Sequence, residues 1–288
     1  MKSALTAVYL ICAALLFGPL KADDSIEKGK WTRNIKISAE YNGQKVEGTY
    51  SVYIPSKYTG GDMTSVLLLH DYNESSSEWI QKSLFTREAE KRNYILIAPD
   101  MKTSAYESEF FPETRLKWSA MPGIKWIGEY LIPHAQKKFN AFNKRDKSMV
   151  VGTGTGARGA FLCIARYPKF FKYVGGFGGC YDNETLKRNP SIINHLGAYK
   201  ANPERWRTTD NLIILAEKFS DVVLFLAHGS EDYMVNPDQS MMFGVRLNTI
   251  RKKNPNVQFR FYSHRNGLHD WGTYNPSILN FLNFVSEN

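Results

Sequence analysis

Short, continuous apolar runs alternate with longer amphipathic ones along most of the chain. Residues 66–69, 94–98, 149–151, 173–177 and 222–227 are apolar without alternation, the pattern of strands buried on both faces of a sheet. Two alternating stretches precede them, Ile35-x-Ile37 and Tyr50-x-Val52-x-Ile54, separated by Asn42-Gly43; they predict a leading hairpin. Val257-x-Phe259-x-Phe261-Tyr262 predicts a late strand. Helices are predicted over 84–91, 124–139, 161–165, 212–219, 238–252 and 278–285, where apolar residues recur at helical spacing. Residues 55–62, 73–78 and 183–209 read as polar loops, and 101–122 as a long irregular excursion rich in aromatics and charge. Strands that alternate with helices predict an α/β fold, a mostly parallel central sheet with helices on both faces. With no internal repeat and no linker, residues 23–288 are expected to form a single domain.

The stretch 148–160 organises the rest. Met149, Val150 and Val151 run into Gly152-Thr153-Gly154-Thr155-Gly156, and a helix follows. Strand, sharp turn and helix, with small residues two before and two after the centre, frame a nucleophile elbow, G-x-S-x-G. The centre here is Gly154, not Ser, Cys or Asp. An elbow's central residue is held in a strained conformation, with positive φ, that costs a residue bearing a Cβ about 1–3 kcal/mol. Glycine adopts it without a steric penalty, so the reactive oxygen can be lost while the fold is kept. The same letters fit Gly154-x-Gly156-x-x-Gly159, a dinucleotide fingerprint. Its acid belongs about 20 positions further on, where the chain has Val174, and Asp182 lies beyond the next strand. No nucleotide cofactor is expected.

Composition narrows the setting. Lys2, the apolar run 4–16 and Leu20-Lys21-Ala22 resemble a secretory signal peptide over residues 1–22, with a retained anchor as the alternative; the apolar run is short for a membrane span. The expectation is a secreted or periplasmic protein. Removal of Lys2 and Lys21 and no acid lowers the formal charge from +9 to +7. The basic residues are scattered, which argues against nucleic acid and for contact with anionic surfaces. Cys163 and Cys180 could pair in an oxidising compartment, but two buried free thiols are the favoured expectation. Asn73-Glu74-Ser75 and Asn183-Glu184-Thr185 match glycosylation sequons by letters alone. No His, Cys and acid cluster has metal-ligand spacing, so no metal is expected.

Ligands of open parallel sheets bind outside the carboxyl ends of the strands. Asp232 follows the strand at 222–227, and His269 follows the last strand. Elbow, acid, then His is the chain order of α/β-hydrolases, in which the His is the general base and the acid fixes its tautomer. Taken singly, Asp232 could cap a turn and His269 could be an ordinary loop histidine; together, after an elbow frame, they mark a remnant triad. The N–H groups of Thr155 and of the loop at Asp71-Tyr72 are the oxyanion-hole candidates. His70, Trp118, Ser119 and Trp271 are candidates to line the pocket. Thr153, Thr155, Ser108, Ser119 and Cys163 are the other hydroxyls and thiol considered as substitute nucleophiles.

These residues carry a resemblance. Over residues 45–285 the chain resembles the esterase-D-like family of α/β-hydrolases, which includes S-formylglutathione hydrolases, feruloyl and acetylxylan esterases and secreted mycolyltransferases. The likeness lies in Gly152-x-Gly154-Thr155-Gly156-x-x-Gly159-Ala160, Arg166-Tyr167-Pro168-x-x-Phe171, Leu69-His70, Gly229-x-x-Asp232 with Gln239-Ser240, and Gly267-x-His269-x-Trp271. It implies an α/β-hydrolase fold, no cofactor, and a small ester, acyl or glycan ligand. Two departures stand out. The family's elbow serine is Gly154, and its His-Gly at the oxyanion strand is His70-Asp71, which puts a carboxylate where negative charge has to develop. The expectation is a pseudoenzyme that binds a ligand or partner in the remnant pocket; the alternative is an active ester hydrolase or acyltransferase that pairs Asp232 and His269 with an unusual nucleophile.

Overall fold

The computed structural model describes residues 26–114 and 117–288; the expected signal peptide lies outside them. In chain order the elements are β1 (Trp31–Tyr41), β2 (Gln44–Tyr53), β3 (Ser65–Leu69), α1 (Ser76–Lys82), α2 (Phe85–Arg92), β4 (Ile95–Pro99), α3 (Gly123–Trp126), α4 (Ile132–Phe139), β5 (Ser148–Thr153), α5 (Thr155–Arg166), β6 (Tyr173–Phe177), α6 (Pro190–Leu196), α7 (Pro203–Thr208), α8 (Leu212–Leu215), β7 (Val222–Gly229), α9 (Asp238–Lys253), β8 (Val257–His264) and α10 (Trp271–Ser286). A π-helical turn, Ile127–Leu131, joins α3 to α4 in one continuous run.

One eight-stranded sheet has the order β1-β2-β4-β3-β5-β6-β7-β8. The β1–β2 and β2–β4 pairs are antiparallel and every later pair is parallel. Every residue of β3, β4, β5 and β7 is buried, as their unbroken apolar runs require. Alternate side chains feed opposite faces. Leu67, Leu69, Ile95, Ile97 and Val150 pack with α4, α5 and α9, while Val66, Leu68, Leu96, Ala98 and Met149 pack with α2 and α10. The chain runs from β3 outward to β4 on one side and is continued by β5 on the other. The carboxyl ends of β3 and β5 therefore flank the switch point at which open α/β sheets place their ligands.

Four expectations need correction. The polar segment 73–78 is a loop only as far as Ser75, whose side chain caps α1 by accepting from Ser77 N. Within 183–209 lie α6 and α7, each opened by a proline at its first position after an asparagine, a start signal that outranks their weak periodicity. The helix after the elbow begins at Thr155, so residues 155–160, small apart from Arg158, are its first turns, not a lead-in. Helix α10 begins at Trp271, seven residues before the expected start; Asp270 caps it from Thr273 N, and Pro276 is accommodated inside it.

The excursion at 101–122 is held by buried polar groups. Glu107 accepts from Ser104 Oγ, Ala105 N and Gly123 N, and the Ser108 N–H donates to Asp210, which also pairs with Arg166. Cys163 and Cys180 are both buried and unbridged. Asn183 is wholly buried, with its amide bonded to Arg158 and to the Thr209 carbonyl, so that sequon is inaccessible in the folded chain.

Two glycines fix how tightly α5 sits on the sheet. A Cβ at Gly156 would lie 2.1 Å from the Leu69 carbonyl oxygen, and one at Gly152 would lie 2.0 Å from the Gly156 carbonyl oxygen. These neighbours are backbone and cannot rotate away. Gly156→Ala is therefore expected to destabilise the protein by about 3 kcal/mol in denaturant unfolding. Gly244→Ala, in α9, meets nothing nearer than 3.5 Å and should leave stability unchanged or raise it by about 0.5–1 kcal/mol.

Candidate active site

Gly154 stands between β5 and α5 with φ 51° and ψ −120°, the left-handed backbone that the elbow frame demands. Around it the carboxyl ends of β3, β5 and β7 and the loop after β8 deliver Asp71, Thr155, Asp232 and His269 to one point. The centre of that point is the Asp71 side chain. Its Oδ1 accepts from Tyr72 N at 2.6 Å, Thr155 N at 2.6 Å and Thr155 Oγ1 at 3.1 Å. Its Oδ2 lies 2.8 Å from His269 Nε2. The two backbone donors expected to bind an oxyanion are thus both engaged by a carboxylate of the chain itself.

The position of that carboxylate explains the glycine. An ideal Cβ on residue 154 would lie 2.0 Å from Asp71 Cγ and 2.1 Å from each of its oxygens. Asp71 fills the space into which an elbow side chain would project. The other fingerprint glycines are likewise occupied by protein: a Cβ at Gly156 would meet Leu69 O, and one at Gly159 would meet the Tyr106 ring at 2.4 Å. They serve close packing and leave no room for a pyrophosphate, while the N-terminus of α5 takes the Asp71 carboxylate as its anion.

Behind His269 the arrangement is conventional for a base and its orienting acid. His269 Nδ1 lies 2.6 Å from Asp232 Oδ2, and Asp232 Oδ1 accepts from Met234 N and Val235 N. His228, wholly buried at the end of β7, holds Asp232 from the other side at 3.1 Å while its Nδ1 meets Ser240 Oγ at 2.6 Å. Asp232 is completely buried and His269 nearly so. Burial by itself would lower the His269 pKa, but the hydrogen bonds and charges of Asp232 and Asp71 outweigh it and raise it to about 9. For Asp71, burial works against ionisation, yet His269 and the Thr155 and Tyr72 N–H groups hold its pKa below the usual carboxylate value. Asp232 is likewise held low, against burial, by His228, His269 and Val235 N. The centre is an imidazolium clamped between two carboxylates.

The remaining candidates scatter. His70 is wholly buried and both its ring nitrogens are engaged: Nδ1 donates to the Asp71 carbonyl at 2.6 Å, and Nε2 accepts from Met101 N at 2.7 Å. It shapes the turn that carries Asp71 and does not line a pocket. Trp118 lines a separate cavity of ≈ 200 Å³ with Lys36, Glu47, Thr49, Asp100 and Lys102, and half-buried Ser119 follows it on the excursion. Trp271 packs edge-on against Trp79, and its Nε1 donates to Glu78. Ser108 bonds Arg166 and Asp210, Thr153 is buried in β5, and burial pushes the Cys163 thiol far above its ordinary pKa; none stands at the centre.

Three supporting groups stand behind the centre: Tyr106, one of the excursion's aromatics expected to serve the pocket, and His228 and Glu74, which no motif marks. Tyr106, fully buried on the excursion, donates its hydroxyl to the His70 carbonyl at 2.8 Å. His228 supports Asp232 as described. Glu74 accepts from Asp71 N at 3.3 Å, and burial together with the charges of Asp71 and Glu78 raises its pKa to about 7. Among the described residues no group of three or more His, Cys, Asp or Glu could hold a metal ion.

Fold and site together define an α/β-hydrolase scaffold. A family model described as "Putative esterase" matches residues 42–284, and the chain belongs to that family. An acetyl esterase from Caldicellulosiruptor saccharolyticus is 20% identical over 244 residues, covering 78% of this chain and 84% of its own length. An S-formylglutathione hydrolase from Agrobacterium tumefaciens superimposes with a TM-score of 0.70 at 17% identity, over 89% of this chain and 98% of its own. A ferulic acid esterase gives 0.64 at 15% identity, over 90% and 98%.

The clamp has a measurable charge. Following the His269 ring nitrogens by NMR should show a titration near pH 9, and Asp71→Asn should lower it by roughly 1–2 units, since one of its two carboxylates is neutralised. The folded pKa lies above the ordinary 6.5, so the clamp's contribution to stability is complete below about pH 6.5 and is lost as pH rises through about 9. Denaturant midpoints should fall across that window, and fall less in Asp71→Asn.

Proposed function

We propose that this protein is an exported esterase-family pseudoenzyme whose hydrolytic centre is closed by its own Asp71, and that it acts by binding a ligand or partner. One observation carries the reading: the Asp71 carboxylate lies where an elbow side chain would project, with one oxygen on the Thr155 and Tyr72 N–H groups and the other on His269 Nε2. Ester hydrolysis on this scaffold needs an oxygen nucleophile against the His, and two free donors for the oxyanion. Asp71 occupies both places at once. A histidine held protonated to about pH 9 also cannot accept a proton at neutral pH. Binding of a small ester, acyl or glycan ligand, and not of nucleic acid, fits the family and the scattered basic charge. Lys2 and the apolar run at 4–16 support export.

A second reading takes Asp71 as the nucleophile, because Oδ2 sits against His269 Nε2. It is weaker: attack on an ester carbonyl would break its C–O bond, expel the alcohol and leave a mixed anhydride on Asp71, and the protonated His269 could not activate the water needed to hydrolyse it.

Hydrolysis of p-nitrophenyl acetate, with fluorophosphonate labelling, decides. The wild type should neither turn over nor label. Gly154→Ser alone should stay inactive and lose stability, because its Cβ meets Asp71. Asp71→Gly with Gly154→Ser should gain hydrolysis and labelling, both abolished by adding His269→Ala. Wild-type turnover that His269→Ala abolishes would overturn the proposal.

A further inference from the structure

The face of α9 turned to solvent carries the wrong residues for a solvated helix. Its buried side presents Phe243, Gly244, Leu247 and Ile250 to the sheet, and the opposite side would ordinarily be polar. Instead Met241, Met242 and Val245 are 52%, 47% and 71% exposed. They share one face by their three- and four-residue spacing, and that face continues through Asn248 and Thr249 to Lys252 and Lys253 at the helix end. The loop that runs directly into α9 carries the two most exposed large apolar side chains among the described residues, Tyr233 at 84% and Met234 at 77%. This loop is bonded to the turn after β8, since Ser230 N donates to the His264 carbonyl and Glu231 N to that of Gly267. That turn adds exposed Leu268 and Arg265. The result is an apolar ridge with basic groups at its margins, beside the residues that follow Asp232 and precede His269.

We infer that this ridge docks the protein on an anionic lipid surface. Side chains that are flexible and apolar, with one amphipathic tyrosine and lysines at the edge, suit insertion at the boundary of headgroups and acyl chains. The lysine stems cover apolar surface while their ammonium groups reach phosphates. Arg265, Lys252 and Lys253 make no ion pair among the described residues, so their charge is free for headgroups. The formal charge, +9 for the full chain and +7 without Lys2 and Lys21, favours a negative surface and opposes pairing of two like copies. Glu231 and Asp238 flank the apolar loop and exposed Asp270 lies beside Leu268 and Arg265, so the apolar contribution has to dominate and the basic residues add selectivity.

Sedimentation with vesicles of phosphatidylcholine, with and without phosphatidylglycerol, tests this. The wild type should pellet with the mixed vesicles and more weakly with phosphatidylcholine alone. Tyr233→Ser with Met234→Ser should weaken binding to the mixed vesicles by about tenfold or more. Lys252→Gln with Lys253→Gln should weaken it by up to roughly fivefold per lysine, and only where phosphatidylglycerol is present. Circular dichroism should be unchanged in both variants, because the residues are exposed. Wild type that stays in the supernatant, an apolar variant that binds undiminished, or a concentration-dependent dimer dissolved by Tyr233→Ser with Met234→Ser would each overturn the inference.

Discussion

The site depends on a single volume that two side chains cannot share. It lies between the end of β3 and the turn after β5, and it holds the Asp71 carboxylate, 2.0 Å from where a Cβ of residue 154 would begin. The backbone around it cannot give way, because Gly152 and Gly156 bring α5 against the sheet at backbone distances, so any relief has to come from the Asp71 side chain leaving its partners. His70, bonded on both ring nitrogens, and Tyr106, bonded to the His70 carbonyl, fix the β3 end in the same way. The carboxylate is therefore placed by the fold as firmly as a catalytic group would be.

Its placement changes the chemistry of its neighbours. The Thr155 N–H at the start of α5, the Tyr72 N–H after β3 and a histidine with an acid behind it form a pocket of positive potential, which in an acyl-transfer enzyme is kept for charge that appears only in the transition state. Here the charge is permanent. A carboxylate resting there is stabilised by the same donors, and in return it keeps the imidazole protonated. The interactions of that carboxylate with its donors contribute to the ground state of the folded chain.

Much of this was legible in the residues, for identifiable reasons. Strands buried on both faces announce themselves by unbroken apolar runs, and a mostly parallel sheet follows from the helices between them, though not the order of its strands. Gly154, Asp232 and His269 were located because a sharp turn, a strand end and their chain order constrain them. The departure at Asp71 was visible as a charge in an unsuitable place, but its consequence was not. That one carboxylate reaches both the donors and His269 depends on the distance between two strand ends, which no local pattern encodes. Helices α6 and α7 were missed because short polar helices have little periodicity. A long aromatic excursion near a site suggests a cover and so points Trp118 at the pocket; the excursion's fold, directed by the buried Glu107, carries Trp118 to a separate cavity beside β1 and β2.

The crowding at Gly154 also constrains sequence change. A Cβ at 154 would meet the Asp71 carboxylate where it now lies, so it could be added only if Asp71 turned away from the Thr155 and Tyr72 N–H groups and from His269. Removal of Asp71 alone would vacate those donors and leave glycine at 154. Each single change therefore breaks the clamp, and the two positions are coupled by packing: a substitution at either one is felt first at the other.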